Sequence, residues 1–203
     1  INNVNGSKNF LIYQISDGSY KDVEITSDSL IPTNVIISSN MIAQSIENTV
    51  YYQPITDALN NVQASERPFS NFGIRNIAIT DNGRYLCILL FENALFVMDT
   101  TDASFISTNT VMYRDDFYIG DNINILDGDE GIFICFNILD INTEENVGIQ
   151  VWKYAQISET ESDWVLDRQY SDSIGENYVK ISEDASTIGF SYLTGSSSVK
   201  FAK

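Results

Sequence analysis

One pattern recurs four times along the chain and restricts its architecture more than any other feature. The segments "NVIISSNMIAQSI" from Asn34, "NIAITDNGRYLCIL" from Asn76, "NINILDGDEGIFICF" from Asn122 and "YVKISEDASTIGFSY" from Tyr178 each read as an alternating strand, a polar turn and a second apolar strand. The turns are built from Gly, Asn, Asp and Ser, which tolerate left-handed backbone or bond their own main chain, so each segment is expected to be a hairpin. No long stretch has helical period.

A third strand of a shared type follows each hairpin or its expected place: "NFLIYQI" from Asn9, "NTVYYQPI" from Asn48, "NALFVMD" from Asn93, "NVGIQVWKY" from Asn146 and "SSVKFAK" from Ser197. Taking Ile37, Ile79, Ile125 and Ile181 as equivalent gives steps of 42, 46 and 56 residues. Tyr13, Tyr52, Val97, Trp152 and Phe201 independently give 39, 45, 55 and 49. Between the third strand and the next hairpin there is room for an outer fourth, in "YKDVEIT" near Val23, "TNTVMYRDDFY" near Val111 and "DWVLDRQY" near Val165.

Four antiparallel strands repeating every ~40 to 50 residues predict an all-β chain of the β-propeller type. A two-sheet sandwich does not predict a three-part repeat in fixed order. The 203 residues are expected to form a single β-propeller domain or a fragment of one, with repeats at approximately 1–33 (partial), 34–75, 76–121, 122–177 and 178–203 (partial). The chain is expected to open on a third strand, and the strand slots then exceed by one the sixteen of a sealed four-bladed ring. A section of four to five blades from a longer propeller is therefore expected. The alternative closes the last blade with the strand near Val23 and leaves Phe10 to Ile15 surplus.

The stretch "IAITDNGRYLCILLFENALFVMDT" resembles a blade of the WD-repeat and related propellers, in which a strand, a Ser/Thr-x-Asp-Gly type turn, a second strand and a strand ending in a Trp-Asp-like pair recur. "GIQVWKY" resembles that third strand, with Trp152 at the aromatic position and Lys153 where Asp usually stands; Met98 precedes Asp99 one repeat earlier. No Gly-His pair exists, so the buried His and Asp network of the standard WD-repeat blade is absent.

The chain contains no histidine at all. That removes Ser-His-Asp and Cys-His catalysis, His-based zinc sites and most neutral-pH proton shuttles together. Twenty-eight acidic against eleven basic residues leave a net charge of −17, which repels nucleic-acid backbones and anionic lipid. No segment approaches the roughly 20 apolar residues of a membrane helix, so no membrane insertion is expected. Cys87 and Cys135 occupy the same place in successive repeats, where the others have Gln44 and Phe190, and are expected to be free buried thiols filling the core. Unpaired cysteines and the WD-repeat-like pattern lean towards an intracellular setting, with secretion or a surface location left open.

Asp127 and Asp129, in "DNINILDGDEG", are the candidates for a metal ion, because closely spaced carboxylates on a turn suit Ca²⁺. The stretch is similar to the calcium loops of integrin-type propellers, but lacks the third acidic ligand and the distal carboxylate, so a plain acidic turn is the competing reading. Arg67, Arg75, Arg84, Arg114 and Arg168 fall at differing repeat positions and read as salt-bridge partners, not as a sialidase-like triad. Asn5, in "NGS", is the one formal N-glycosylation acceptor. Two connections, Asn137 to Gly148 and Ala58 to Asn71, exceed the needs of the repeat and are expected to be contact loops or tolerated slack.

These readings converge on a non-catalytic scaffold that needs no cofactor and presents loops and blade edges to protein partners in a larger assembly. The rivals are a carbohydrate-active or other hydrolytic propeller enzyme using carboxylates and Tyr, and a secreted or surface structural subunit. Convergence of Asp, Glu, Tyr and Arg from several blades in one pocket would favour the enzyme.

Overall fold

The computed structural model describes residues 2–4, 7–13, 18, 20–23, 32–69, 72–106, 117–158, 161–171, 179–194 and 196–202, with side chains described within 32–189. Five antiparallel sheets follow one another along the chain. The first holds β1 (Asn2–Val4), β2 (Ser7–Tyr13) and β3 (Tyr20–Val23). The second holds β4 (Asn34–Ile37), β5 (Met41–Ile46), β6 (Thr49–Pro54) and β7 (Ser65–Pro68), with the helical turn α1 (Ile55–Leu59) between β6 and β7. The third holds β8 (Ile74–Ile79), β9 (Tyr85–Leu90) and β10 (Leu95–Asp99). The fourth is the largest, with β11 (Phe117–Gly128), β12 (Gly131–Asp140), β13 (Asn146–Gln156) and β14 (Ser162–Tyr170). The fifth holds β15 (Val179–Ile181), β16 (Ile188–Thr194) and β17 (Ser196–Ala202).

Strands within each sheet run in sequence order, as hairpins joined end to end require. The first strands of consecutive sheets approach one another, β4 to β8, β8 to β11 and β11 to β15, so they form the inner side of the arrangement. The sheets pack face to face. Met41, Ala43, Val50 and Tyr52 of the second sheet bury Ile77, Ile79, Leu86 and Ile88 of the third. Ala78, Cys87, Leu89 and Val97 on the third sheet's other face bury Ile119, Ile125, Ile134 and Phe136 of the fourth. Phe133, Cys135, Ile149 and Val151 then cover Val179, Ile181 and Ile188 of the fifth. A strand covered on both faces has no solvent side, which is why "YLCILL" in β9 is apolar at every position and buried throughout. Each such Leu or Ile contributes about 1.5–3 kcal/mol of burial.

Several expectations are corrected. β1 precedes the strand at Asn9, so the described chain does not open on a third strand. The connection from Ala58 to Asn71 contains the end of α1 and all of β7, the second sheet's outer strand. The one from Asn137 to Gly148 is mostly ladder, since β12 runs to Asp140 and β13 resumes at Asn146. As expected, the strands near Val23 and Val165 are β3 and β14, the outer strands of their sheets. Of the stretch near Val111, residues 107–116 lie outside the described residues, and Phe117 and Tyr118 belong to the inner strand β11.

The cysteines show the cost of a single-residue slip. Cys87 pairs with Ala78 and Cys135 with Asn124, so the two are equivalent as expected. Their counterparts, however, are Ala43, paired with Ile36, and Gly189, paired with Lys180, not Gln44 and Phe190. Turn lengths differ between repeats, and one residue of slip moves a side chain to the opposite face of its sheet. Both thiols are free and fully buried, and burial pushes both well above the ordinary thiol range.

Candidate interaction surface at the turn end of the sheets

The turns joining first and second strands share one device. Thr80 Oγ1 donates to Asn82 Oδ1 at 2.7 Å and accepts from Tyr85 N at 3.0 Å. Ser182 Oγ donates to Asp184 Oδ1 at 2.6 Å and accepts from Thr187 N at 2.9 Å. Ser38 Oγ does the same with Asn40 Oδ1 and Met41 N, at 3.3 and 3.0 Å. A hydroxyl two residues before an amide or carboxylate thus closes the turn, satisfying main-chain groups that the ladder leaves unpaired. In the fourth sheet Leu126 stands at this position, and the ladder runs on to a Gly128 and Gly131 pair, leaving only Asp129 and Glu130 at the tip.

The turns are also linked from sheet to sheet. Ser39 donates through both N and Oγ to the Asp81 carbonyl, at 3.1 and 2.5 Å. Asn82 Nδ2 donates to Asp127 Oδ2 at 2.8 Å, and Gly128 backs onto the Glu183 carbonyl. The result is a recess of about 430 Å³ lined by Asp81, Asn82, Asp127, Asp129, Glu183 and Asp184, among others. Hydrogen bonds from Ser182 and Ser186 hold the Asp184 carboxyl down to about 2.

Asp127 therefore faces Asn82 across a seam, and Asp129 sits on the hairpin tip. Among the described residues no three His, Cys, Asp or Glu side chains are grouped so as to hold a metal ion. Asn5 and Arg114 lie outside the described residues. Asp99 is buried and closes its own turn by accepting from Thr101 N and Oγ1, at 2.9 and 2.6 Å, and pairs with Arg84 at 3.2 Å. Burial pushes its carboxyl up, and the Thr101 and Arg84 bonds outweigh this and hold it below the usual range.

A second recess of about 450 Å³ lies between the second and third sheets, where Tyr52, Ser65, Arg84, Thr100 and Thr101 are found. Arg75 pairs with Asp121 at 2.5 Å and donates to the Ile119 carbonyl at 2.8 Å. Arg168 pairs with Asp167 and reaches the Ala185 carbonyl at 2.6 Å. Both arginines thus tie one sheet to the next. Arg67 instead lies over the Phe105 ring, 4.8 Å from its centroid.

At the other end of the inner strands is a feature that sequence reasoning missed. Asn34 Nδ2 donates to the Arg75 carbonyl at 3.2 Å, and Asn76 Nδ2 to the Asp121 carbonyl. Each asparagine opens its repeat and binds the residue just before the next repeat's asparagine. The signal was present, since three of the four segments begin with Asn.

Repeated antiparallel units of three or four described strands, ordered along the chain and packed face to face, with first strands adjacent in sheets two to five, define the architecture. These sheets are blades of a β-propeller. The chain is similar in structure to the WD40 domain of Toxoplasma gondii coronin, with 13% identity and a TM-score of 0.56 over 88% of this chain and 44% of that one. It is also similar to the fission yeast SREBP–SCAP binding domains, with 13% identity and a TM-score of 0.57 over 88% of this chain and 50% of that one. It spans half or less of the length of each. No family model and no curated protein matches the sequence. Blades two and four have four described strands, while blades one, three and five have three.

Proposed function

We propose that the propeller is a non-catalytic scaffold whose linked turns present an acidic surface to basic protein partners. The observation that carries this is the recess in which turns from three blades bring Asp81, Asp127, Asp129, Glu183 and Asp184 together on a chain of net charge −17. Charge of one sign gathered on rigid turns raises the encounter rate with an oppositely charged partner and sets its orientation. In the acidic recess the described lining carries carboxylates without Tyr or Arg, and in the recess holding Tyr52 and Arg84 the nearby Asp99 carboxylate is already taken up by Arg84 and Thr101. Asp184, held ionised to about 2, is a poor general acid. The likeness of fold to coronin's WD40 domain and the SREBP–SCAP binding domains supports the protein-interaction scaffold part of this reading by analogy.

The test uses a partner isolated by affinity capture, identified and then purified. Its binding to the Asp129→Lys, Glu183→Lys double variant is expected to fall at least tenfold, and its binding to the parent to weaken with salt. Equal binding by parent and variant, or binding indifferent to salt, would overturn the acidic-surface reading.

A further inference from the structure

The two recesses at the turn end meet at one residue. Asn82 lines both the acidic recess and the one between blades two and three, so the turn of blade three forms a wall of each. Their chemistry is opposite. The first is lined by carboxylates; among the described residues lining the second, Arg84 is the one charged side chain, beside Asn40, Thr100 and Thr101, with Met41 and Pro54 supplying apolar surface.

Arg84 is held ready to donate. Its Nε pairs with Asp99 at 3.2 Å and its guanidinium carbon lies 4.8 Å from the centre of the Tyr85 ring, so the side chain is braced from two directions. It is nonetheless 55% exposed, and Nη1 and Nη2 have no hydrogen-bond partner among the described residues. A planar fork of N–H groups in a fixed orientation matches the two oxygens of a carboxylate and loses little side-chain freedom on binding one.

A second donor comes from the neighbouring blade. Asn40, in the turn of blade two, approaches Gly83 so closely that a Cβ there would strike its Oδ1. That Oδ1 accepts from Ser38 Oγ at 3.3 Å, which leaves Nδ2 as the free end of the amide among the described residues. Asn40 and Arg84 therefore both adjoin Gly83, one from each blade.

We infer that the recess between blades two and three is a carboxylate subsite of the acidic surface, and that the two together take one partner segment carrying both charges. A Lys or Arg of that segment enters the recess of Asp81, Asp127 and Glu183, and a carboxylate, from an Asp or Glu side chain or a chain end, is held by Arg84 and Asn40. The electrostatics select such a segment. A net charge of −17 repels an isolated anion at long range. A basic residue in the adjoining recess offsets that repulsion, and Arg84 acts at contact distance, where a direct pair outweighs the screened field of distant charges. The two ends differ in sign, so the segment lies in one direction only. The inference rests on the acidic-surface reading and adds to it the polarity of the partner.

The probes are acetylated, amidated peptides Lys-(Gly)n-Glu with one to four glycines, each glycine adding at most about 3.5 Å of reach, and the same peptides ending in Gln. Calorimetry and the side-chain NMR signals of Arg84 and Asn40 report binding to the 203-residue protein. The best-spaced Glu peptide is expected to bind about tenfold or more tightly than its Gln counterpart and to shift both signals. Arg84→Lys, which keeps the charge and loses the planar fork, should remove that advantage. Should this variant not fold, Asn40→Ser, which keeps a turn-forming side chain and loses the amide donor, serves the same comparison. Unamidated Lys-(Gly)n peptides, whose one carboxylate is the chain terminus, separate a chain end from a side chain as the source. No binding by any peptide, equal binding of Glu and Gln peptides at every spacing, or an advantage that the variant retains overturns the inference. Glu and Gln peptides that bind alike but are lost in the Asp129→Lys, Glu183→Lys variant would overturn it while leaving the acidic surface standing.

Discussion

Asn93 grips the beginning of β11 from the far side of a seam: its Nδ2 donates to the Phe117 carbonyl at 2.8 Å, and its Oδ1 accepts from Ile119 N at 2.6 Å. The backbone of Asn93 is left-handed, with φ of 62°, a conformation Asn tolerates better than most residues. Asn93→Ala leaves two buried main-chain groups unpaired and strains the turn, and is expected to lower unfolding free energy by about 3–5 kcal/mol in urea. Asn93→Gly relieves only the strain and should recover about 1 kcal/mol of that loss. A loss under 1 kcal/mol for Asn93→Ala would mean that the two bonds do not hold the seam.

Gly83 has φ of +72°, and a Cβ there would run into Asn40 and Met41 of the previous blade. Gly83→Ala therefore combines a left-handed alanine with a clash across a seam. It is expected to cost at least about 1–2 kcal/mol for the backbone alone, with a lower thermal midpoint. An unchanged midpoint would show that the turn can shift without cost.

Asp184 gives a dependence on pH whose sign follows from its bonds. Hydrogen bonds from Ser182, then Ser186, hold its folded pKa at about 2, below the unfolded value near 4. The stabilising contribution is present above the unfolded value and is lost as pH falls towards 2. Ser182→Ala with Ser186→Ala should raise the Asp184 titration midpoint in a carbon-detected NMR experiment; an unmoved midpoint would assign the depression to another cause.

Cys87 and Cys135 are buried, and burial disfavours their thiolates. Neither should react with an aromatic disulfide in the folded protein at pH 8, and both should react once denaturant is added. Rapid labelling of either without denaturant would contradict their packing between blades.

The repeat was legible because its signal is local. Alternation along "NIAIT", the Thr80-x-Asn82 turn and the apolar run of β9 are each written in consecutive residues. The cysteines were half legible: their equivalence to each other survived, but their partners in other repeats did not, because turns of unequal length shift the register. Asn34, Asn76 and Asn93 look like ordinary polar strand-end and turn residues until the next blade is in place. Their acceptors are 41, 45 and 24 positions away. The acidic recess likewise joins Asp81, Asp127 and Glu183 from three separate turns.

Residue order by itself determined the all-β class, the hairpins and the period, since strand propensity and turn chemistry act over a few neighbouring residues. Tertiary structure alone decided which face each strand turns to its neighbour and which asparagines bind across seams. Those outcomes depend on the packing of one blade against the next, and no run of consecutive residues contains both sides of that contact.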